Sequence, residues 1–203
     1  FPLIAIPLFV FAGAVMNALK PQAGTSIAVF GAGTVGLSAV MAARVVGCAT
    51  IIAVDISADR LRAATELGAT HTFDASNDDP VVRIQEISGS GVHYSLECTG
   101  MPEVVRQAVD CLTLTGVCGV VGVSPLGTEF KLDMNAVLFG RSVRGIIEGD
   151  SVPQVFLPRL ISLYQQGRFP FDKLIRTYSF SEINQAVEDV ESGKAIKPVL
   201  LTD

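Results

Sequence analysis

The chain has 203 residues, of which 49% are apolar and 17% charged, and its formal net charge is −5. A domain of this size buries about 70% of its unfolded surface, so it needs no disulfide staple. The acidic balance argues against nucleic acids and anionic membranes as partners, because both carry the same sign of charge. The low share of charged residues predicts that some apolar surface meets another domain or subunit.

The first 15 residues are strongly apolar, contain Pro2 and Pro7, and lack the basic stretch of a secretory signal. They are also short for a membrane span of about 20 residues. We expect this segment to pack against protein outside the chain, with a membrane helix as the less favoured alternative. Residues 12–19 predict a short helix, which residues 20–24 should end.

The next stretch predicts a strand, a glycine turn and a helix. The apolar strand Ser26–Phe30 leads directly into Gly31, Gly33 and Gly36, which have the Gly-x-Gly-x-x-Gly spacing of a dinucleotide-binding turn. The first glycine permits the tight turn, the second lets a pyrophosphate approach, and the third lets the helix pack on the sheet. The alternative is a glycine turn with no ligand.

Asp55 ends the apolar run of residues 51–54 and lies 19 residues after Gly36. An acidic group roughly 20 residues beyond the turn binds the ribose hydroxyls of NAD, although aspartate is also common where strands end. The 2′-phosphate of NADP would meet a like charge there, which Arg60 would partly offset. The pattern therefore predicts a preference for NAD.

Strands and helices keep alternating after Asp55, which predicts a parallel sheet with right-handed connections. We predict helices at residues 57–68, 80–87, 101–112, 134–140, 151–166 and 181–192, and strands at 70–74, 92–98, 116–123, 143–147 and 196–201. Ser181 is the predicted cap of the last helix. The fold class is α/β, a Rossmann doubly wound parallel sheet of about six strands followed by a C-terminal helical segment.

Ligands of such sheets bind at the carboxyl ends of the strands, where Gly31, Asp55, Thr99 and Gly122 are predicted to lie. The apolar strand near residue 143 should form a sheet edge, and such an edge favours pairing with a second subunit. We therefore expect a homodimer through residues 143–148.

The cysteines have no compact zinc-ligand spacing and lie in apolar stretches: Cys48, Cys98, Cys111 and Cys118. We interpret them as buried, reduced thiols in a cytoplasmic protein, with a metal or disulfide role as the alternative. His71 and His93 lack ligand partners at helical spacing and are interpreted as structural or surface residues.

Several segments together resemble the coenzyme-binding half of the zinc-dependent medium-chain alcohol dehydrogenases, especially the benzyl or aryl alcohol branch. They are GAGTVGLSAV at the turn, AVDISADRL at Asp55, ECTG at Glu97, GVVGVSP at Gly119, FGRSVRGIIEGDSVP at Phe139 and SGKAIKPVL in the tail. The resemblance covers residues 12–203.

The resemblance implies a role in binding NAD for each matching residue. Backbone amides of Gly31, Gly33, Thr34 and Val35 would meet the pyrophosphate, with Gly36 behind them, and Asp55 and Arg60 would lie at the adenosine ribose. The residues implied near the nicotinamide half or the pyrophosphate are Thr99, Val121, Gly122, Val123, Ile146, Glu148 and Lys197. Lys197 has the alternative of a solvated surface lysine.

Zinc is where the chain departs from the family pattern. Members carry two catalytic zinc ligands in an N-terminal domain and a third, a cysteine, shortly before the segment that here reads AGAVMN. Pro7 stands near that third position, and no cysteine precedes Cys48. A catalytic zinc needs three protein ligands, so we predict no metal or catalytic residue in this chain, although zinc is expected in the full-length family.

The resemblance implies three segments: a remnant of the catalytic domain at residues 1–23, an NAD-binding domain at 24–149 and a returning segment at 150–203. The implied function is the NAD-binding domain of an alcohol dehydrogenase, with the catalytic domain missing and the chain inactive alone. The alternatives are a stand-alone dinucleotide-binding module or redox sensor, and another Rossmann enzyme. A short-chain dehydrogenase would need a Tyr-x-x-x-Lys pair, which the sequence lacks, and a methyltransferase would not explain the matched tail.

Overall fold

The computed structural model describes residues 11–202. Six parallel strands form one sheet in the order β3-β2-β1-β4-β5-β6. Their bounds are Ser26–Phe30 (β1), Thr50–Asp55 (β2), His71–Asp74 (β3), Val92–Glu97 (β4), Leu112–Val120 (β5) and Ser142–Gly145 (β6). The predicted α/β fold class and doubly wound parallel sheet are confirmed.

Helices cover both faces of this sheet. The α-helices are Thr34–Val46 (α1), Ala58–Leu67 (α2), Pro80–Ser88 (α3), Pro102–Asp110 (α4), Met134–Leu138 (α5), Pro153–Gln165 (α6) and Ile183–Glu191 (α7). A π-helix spans Ala14–Leu19, and 3-10 turns span Glu148–Asp150, Phe171–Leu174 and Phe180–Glu182. None of the helices in residues 11–202 is long and apolar enough to cross a membrane.

The central strands are buried on both sides because their side chains alternate between two apolar cores. In β1, Ile27 and Val29 join the core that includes α1 and α2, whereas Ala28 and Phe30 join the core that includes α3 and α4. All five residues of β1 are buried. This explains why the strand is apolar throughout instead of alternating with polar residues.

A second, two-stranded parallel sheet lies at the C-terminal end of the chain. It pairs Ile175–Ser179 (β7) with Lys197–Leu201 (β8). With α7 it has a small core of its own, formed by Tyr178, Ala186 and Ala195. Of these two strands, β8 was predicted at residues 196–201, whereas β7 was not predicted.

Three predicted boundaries are wrong. β5 starts at Leu112 and ends at Val120, so residues 121–123 lie beyond the strand; its start is irregular, with Thr115 in a left-handed conformation at φ 62°. β6 ends at Gly145, before Ile146 and Ile147.

The third wrong boundary concerns the last helix. Ser179, rather than Ser181, is the capping residue, and its capping box with Glu182 caps the 3-10 turn Phe180–Glu182 that precedes α7. The N-cap residue of α7 itself is Glu182, which makes no side-chain cap hydrogen bond.

The proposed segments 1–23, 24–149 and 150–203 stay a prediction. The π-helix and α6 both contribute side chains to the core that contains α1. The predicted packing of the apolar N-terminal segment falls mainly on residues 1–10, which lie outside the described residues.

Candidate coenzyme site

The glycine turn leaves β1 and enters α1 with a geometry that only glycine permits at two positions. Gly31 adopts φ +89°, a left-handed conformation, and its amide donates a hydrogen bond to the carbonyl of Val54 at 2.8 Å. A Cβ on Gly36 would overlap the carbonyl oxygen of Gly31. The first turn of α1 therefore lies directly on the glycine turn, and the space beside Gly33 is open.

Asp55 holds the glycine turn in place from the end of β2. Its Oδ2 accepts a hydrogen bond from the Ala32 amide at 2.6 Å, and its Oδ1 accepts one from the Ser57 amide at 2.9 Å. The residue is only 7% exposed. A carboxylate has about four acceptor positions, so two remain after these bonds for a ligand's hydroxyl groups.

Arg60 lies beside this carboxylate. Its Nη1 is 3.8 Å from Asp55 Oδ2, and the arginine side chain is 40% exposed, compared with 4% for the aspartate side chain. The guanidinium is thus at the mouth of the site, where it can turn toward solvent or toward a bound anion.

A cavity of about 310 Å³ opens beside these groups. Six predicted site residues line it: Gly31, Gly33, Val35, Asp55, Arg60 and Thr99. Eight further lining residues were not predicted: Phe30, Val54, Ile56, Ala75, Cys98, Met101, Val104 and Gln107. The predicted convergence of strand ends therefore produces a cavity, whose wall opposite Asp55 comes from the loop after β4 and from α4.

The unpredicted residues have little signal in the sequence. Ile56 and Met101 are apolar yet 72% and 49% exposed, which is unusual for large apolar side chains beside a polar turn. Their positions directly after β2 and after β4 could have identified them, because strand ends in a doubly wound sheet face the ligand.

The remaining predicted residues do not line the cavity. Thr34 is at the start of α1, and its hydroxyl donates to the carbonyl of Ile196 at 2.9 Å, which places Lys197 next to the glycine turn. Ile146 is 6% exposed and Glu148 is exposed, with φ 50°.

Residues 121–123 follow β5 on the far side of β4 from the glycine turn. The amides of Val121 and Gly122 both donate to the carbonyl of Glu97, at 3.0 and 3.2 Å. Val123 is 92% exposed. This segment is therefore held against the end of β4 but does not line the 310 Å³ cavity.

A larger cavity of about 470 Å³ lies elsewhere, between the π-helix and α6. It is lined in part by Lys20, Arg144 and Arg159, and Arg144 is ion-paired with Asp150. Size alone would favour this cavity as the site. The smaller cavity combines the glycine turn with a buried carboxylate. It is the candidate site because amides at the start of a helix bind phosphate groups.

The four cysteines are free thiols; three are buried, and Cys98 is half-buried because it lines the cavity. Burial raises the pKa of Cys118 to about 11 and raises that of Cys111 well above its ordinary value. A zinc ligand must be a thiolate, which these environments disfavour. Within residues 11–202 no three His, Cys, Asp or Glu side chains come together to hold a metal ion, so the described residues do not fit a catalytic zinc.

Comparison with known proteins places this geometry in a family. The family model described as zinc-binding dehydrogenase matches residues 34–165. The chain belongs to the zinc-binding dehydrogenases. It is the coenzyme-binding half of a zinc-type medium-chain alcohol dehydrogenase, as the sequence motifs indicated.

Individual relatives agree with this assignment. Geraniol dehydrogenase of Castellaniella defragrans is 41% identical over 193 residues, which cover 94% of this chain and 52% of the relative. The benzyl alcohol dehydrogenase structure from Acinetobacter calcoaceticus aligns with a TM-score of 0.95 at 46% identity, covering 97% of this chain and 55% of that one.

A more distant relative is a putative zinc-binding dehydrogenase from Sinorhizobium meliloti, solved bound to NADP. It aligns with a TM-score of 0.84 at 26% identity, over 98% of this chain and 58% of that one. The chain thus spans about half the length of the zinc-binding dehydrogenases it matches.

Proposed function

We propose that this chain binds NAD in the 310 Å³ cavity and forms the coenzyme-binding half of an enzyme that oxidises an alcohol, aromatic alcohols included, or reduces the corresponding carbonyl compound. The observation that carries the proposal is the buried carboxylate of Asp55, which holds the glycine turn and keeps acceptor positions free at the cavity. Geraniol and benzyl alcohol dehydrogenases among the similar proteins support an alcohol as the substrate class.

Different residues of the chain would bind different parts of the coenzyme. The adenosine ribose would donate hydrogen bonds to Asp55, and the amides at the start of α1 would face the pyrophosphate with the positive end of the helix dipole behind them. The resemblance implied a place for Thr99 beneath the nicotinamide ribose. Because Thr99 lines the same cavity as Asp55, we propose instead that it lies against the adenosine half. Bound NAD would supply the hydride acceptor for the alcohol carbon.

Six residues would serve the remainder of the coenzyme. We propose Val121 to Val123 as the surface beneath the nicotinamide half, with Ile146 and Glu148 presenting backbone groups to the carboxamide and Lys197 reaching the pyrophosphate. The Thr34 to Ile196 hydrogen bond supports the last of these, since it holds the tail at the glycine turn.

We propose that NAD is preferred over NADP. A ribose diol can donate to Asp55, with each bond to a charged acceptor worth about 1.5–3 kcal/mol. A 2′-phosphate would instead meet this carboxylate, and Arg60 at 3.8 Å would offset only part of the repulsion. The relative solved with NADP has 26% identity, so its coenzyme choice need not be shared.

Titration of NADH fluorescence tests the site, and the absence of tryptophan removes the usual interference. We expect Asp55→Ala to raise the Kd for NADH by at least about 100-fold, since two charge-assisted hydrogen bonds are lost. The Kd for NADPH should rise less, because the repulsive charge is removed together with the acceptor. Asp59→Ala is the matched control, since Asp59 is an exposed acid paired with Arg62.

Two results would contradict the proposal: equal affinity of the unmodified protein for NADH and NADPH, or unchanged NADH binding in Asp55→Ala. A separate assay of alcohol-dependent NADH formation with added zinc tests the proposal that the chain is inactive alone. Turnover under these conditions would refute it.

We also propose a homodimer through the edge strand. β6 is the outermost strand of the sheet and pairs only with β5 in the described residues. Ile147 directly after it is 83% exposed, and nearby Phe139 is 60% exposed. Light scattering of the protein and of Val143→Pro, which cannot add a strand at this edge, would measure the assembly; a monomer in both cases would refute it.

The cytoplasmic location stays a prediction, which cell fractionation would test.

A further inference from the structure

Glu97 is the last residue of β4, and its side chain is completely buried, at 0% exposure. It stands between the glycine turn after β1 and the segment after β5, which are the two structures on either side of β4. Burying a carboxyl group is costly unless hydrogen bonds compensate for the lost water. The hydrogen bonds that Glu97 accepts should therefore explain why a carboxyl group is buried at this position.

Glu97 accepts five hydrogen bonds from two different loops. Its Oε1 accepts from the Thr99 amide and hydroxyl, both at 2.5 Å, and from the Gly100 amide at 2.9 Å. Its main-chain oxygen accepts from the amides of Val121 and Gly122 at 3.0 and 3.2 Å. One residue thus anchors both residues 99–101 and residues 121–123.

The two loops also touch each other directly above this anchor. A Cβ on Gly122 would overlap the Gly100 amide nitrogen and lie 2.6 Å from Glu97 Oε2. The Ser124 hydroxyl donates to the Gly100 carbonyl. Oε2 itself has no hydrogen-bond partner in the part of the chain that the structure describes. This unpartnered oxygen carries a desolvation cost that the hydrogen bonds to Oε1 must offset.

The side chain most affected by Glu97 is that of Thr99, which lines the cavity. The Thr99 hydroxyl donates to Glu97 and accepts a bond from the Met101 amide at 3.1 Å. Its methyl group consequently faces the glycine turn, where it lies 2.9 Å from the place of a Cβ on Gly31. The orientation of Thr99 and the distance across the cavity are therefore set by a group that does not line the cavity.

We infer that Glu97 is a positioning residue for the coenzyme, which fixes the wall of residues 99–101 against the glycine turn. The inference rests on the proposed NAD site. It predicts that removing the carboxyl group weakens binding of the adenosine half even though Glu97 does not contact it.

The test compares Kd values for NADH and for ADP across variants of the 203-residue chain. Glu97→Ala removes the acceptor for three donors and should raise both Kd values at least tenfold, equivalent to about 1.4 kcal/mol. Glu97→Gln keeps a carbonyl oxygen for these donors and should restore both to within about threefold of the unmodified protein.

The matched control is Ser95→Ala. Ser95 is also 0% exposed on β4, and its hydroxyl donates to the Ala108 carbonyl at 2.5 Å, so its loss costs a buried hydrogen bond without touching either loop. We expect it to lower the unfolding temperature while both Kd values stay unchanged. Thr99→Val keeps the side-chain shape and should raise both Kd values several-fold, which tests the inference even if Glu97→Ala does not fold.

The outcomes separate this inference from the proposed function. Failure of the unmodified protein to bind NADH refutes the proposed function itself. If the unmodified protein binds, the inference is overturned by normal binding in Glu97→Ala or Thr99→Val, by an equal loss in Ser95→Ala, or by a Glu97→Gln variant that binds as weakly as Glu97→Ala.

Discussion

Strand β1 in the six-stranded sheet has parallel partners on both sides and buries all five of its residues, whereas β7 in the C-terminal sheet has one partner and buries only Tyr178. The first sheet is stabilised by two apolar cores. The second has a core of one tyrosine and two alanines, so it depends far more on polar contacts.

Those polar contacts converge on Asp189, which is 4% exposed. Its carboxylate accepts hydrogen bonds from the Tyr178 hydroxyl at 2.8 Å and from Gln185 at 3.0 Å, and Arg176 lies 3.3 Å away. The Tyr178 hydrogen bond is the main cause of the lowered pKa of Asp189. The comparison shows that apolar packing stabilises the six-stranded sheet, which carries the candidate coenzyme site. The C-terminal sheet is stabilised mainly by polar and charged contacts.

The largest expected effect follows from the apolar core. Met41 on α1 is 0% exposed, and Met41→Ala should lower the free energy of unfolding by about 2–5 kcal/mol. Hydrogen exchange should accelerate throughout β1, β2 and β4, because these strands open only on global unfolding. Met134→Ala, at a position 86% exposed, is the control and should change stability by under about 0.5 kcal/mol. If Met41→Ala accelerated exchange only near position 41, the six-stranded sheet would not be the cooperative apolar unit that the comparison describes.

The second prediction concerns the stability of the C-terminal sheet at low pH. Because the folded-state pKa of Asp189 is lowered, its contribution is present above the unfolded-state pKa and is lost as pH falls through the folded-state pKa. Amides of β7 and β8 should therefore lose protection from exchange below about pH 4, before those of β1. Asp189→Asn should expose β7 and β8 already at neutral pH. Simultaneous opening of both sheets would show that they are one cooperative unit.

The smallest expected effect is at the connection between the two regions. Thr34→Val removes the hydrogen bond to Ile196 and should cost about 0.5–1.5 kcal/mol, seen as faster exchange in β8 and about a threefold rise in the Kd for NADH. Thr65→Val is the control, since the Thr65 hydroxyl bonds only within its own helix, to the Leu61 carbonyl. An unchanged exchange rate in β8 would mean that the tail does not depend on Thr34.

The same contrast explains how much of the fold the sequence predicted. β1 and β2 were placed to within one residue because buried parallel strands are apolar runs, here bounded by glycine or aspartate. β4 was placed equally well because its residues alternate up to the break at Thr99 and Gly100. β7 was missed because three of its five residues are exposed and its partner, β8, starts 22 residues after its first residue. Its identity as a strand depends on a distant pairing, which local pattern does not reveal.

The candidate site divides in the same way. The glycine turn and Asp55 were predicted because each must be a particular residue type for its geometry. Val104 and Gln107 on α4 were not, since many side chains could form that wall and only the packing of α4 brings these two to the cavity. Glu97 had no signal beyond its place in a matching motif, because its importance comes from five hydrogen bonds that form only after folding.

The overlap that any side chain at position 36 would make with Gly31 has a consequence for redesign. Gly31 and Gly36 have no room for a side chain, whereas Ile56 and Arg60, which line the cavity, are 72% and 40% exposed. A library intended to exchange one coenzyme for the other should therefore leave the glycines constant and sample only the short segment after β2. Selection on that segment would change whether a 2′-phosphate is accepted. The residues proposed to lie beneath the nicotinamide would stay unchanged.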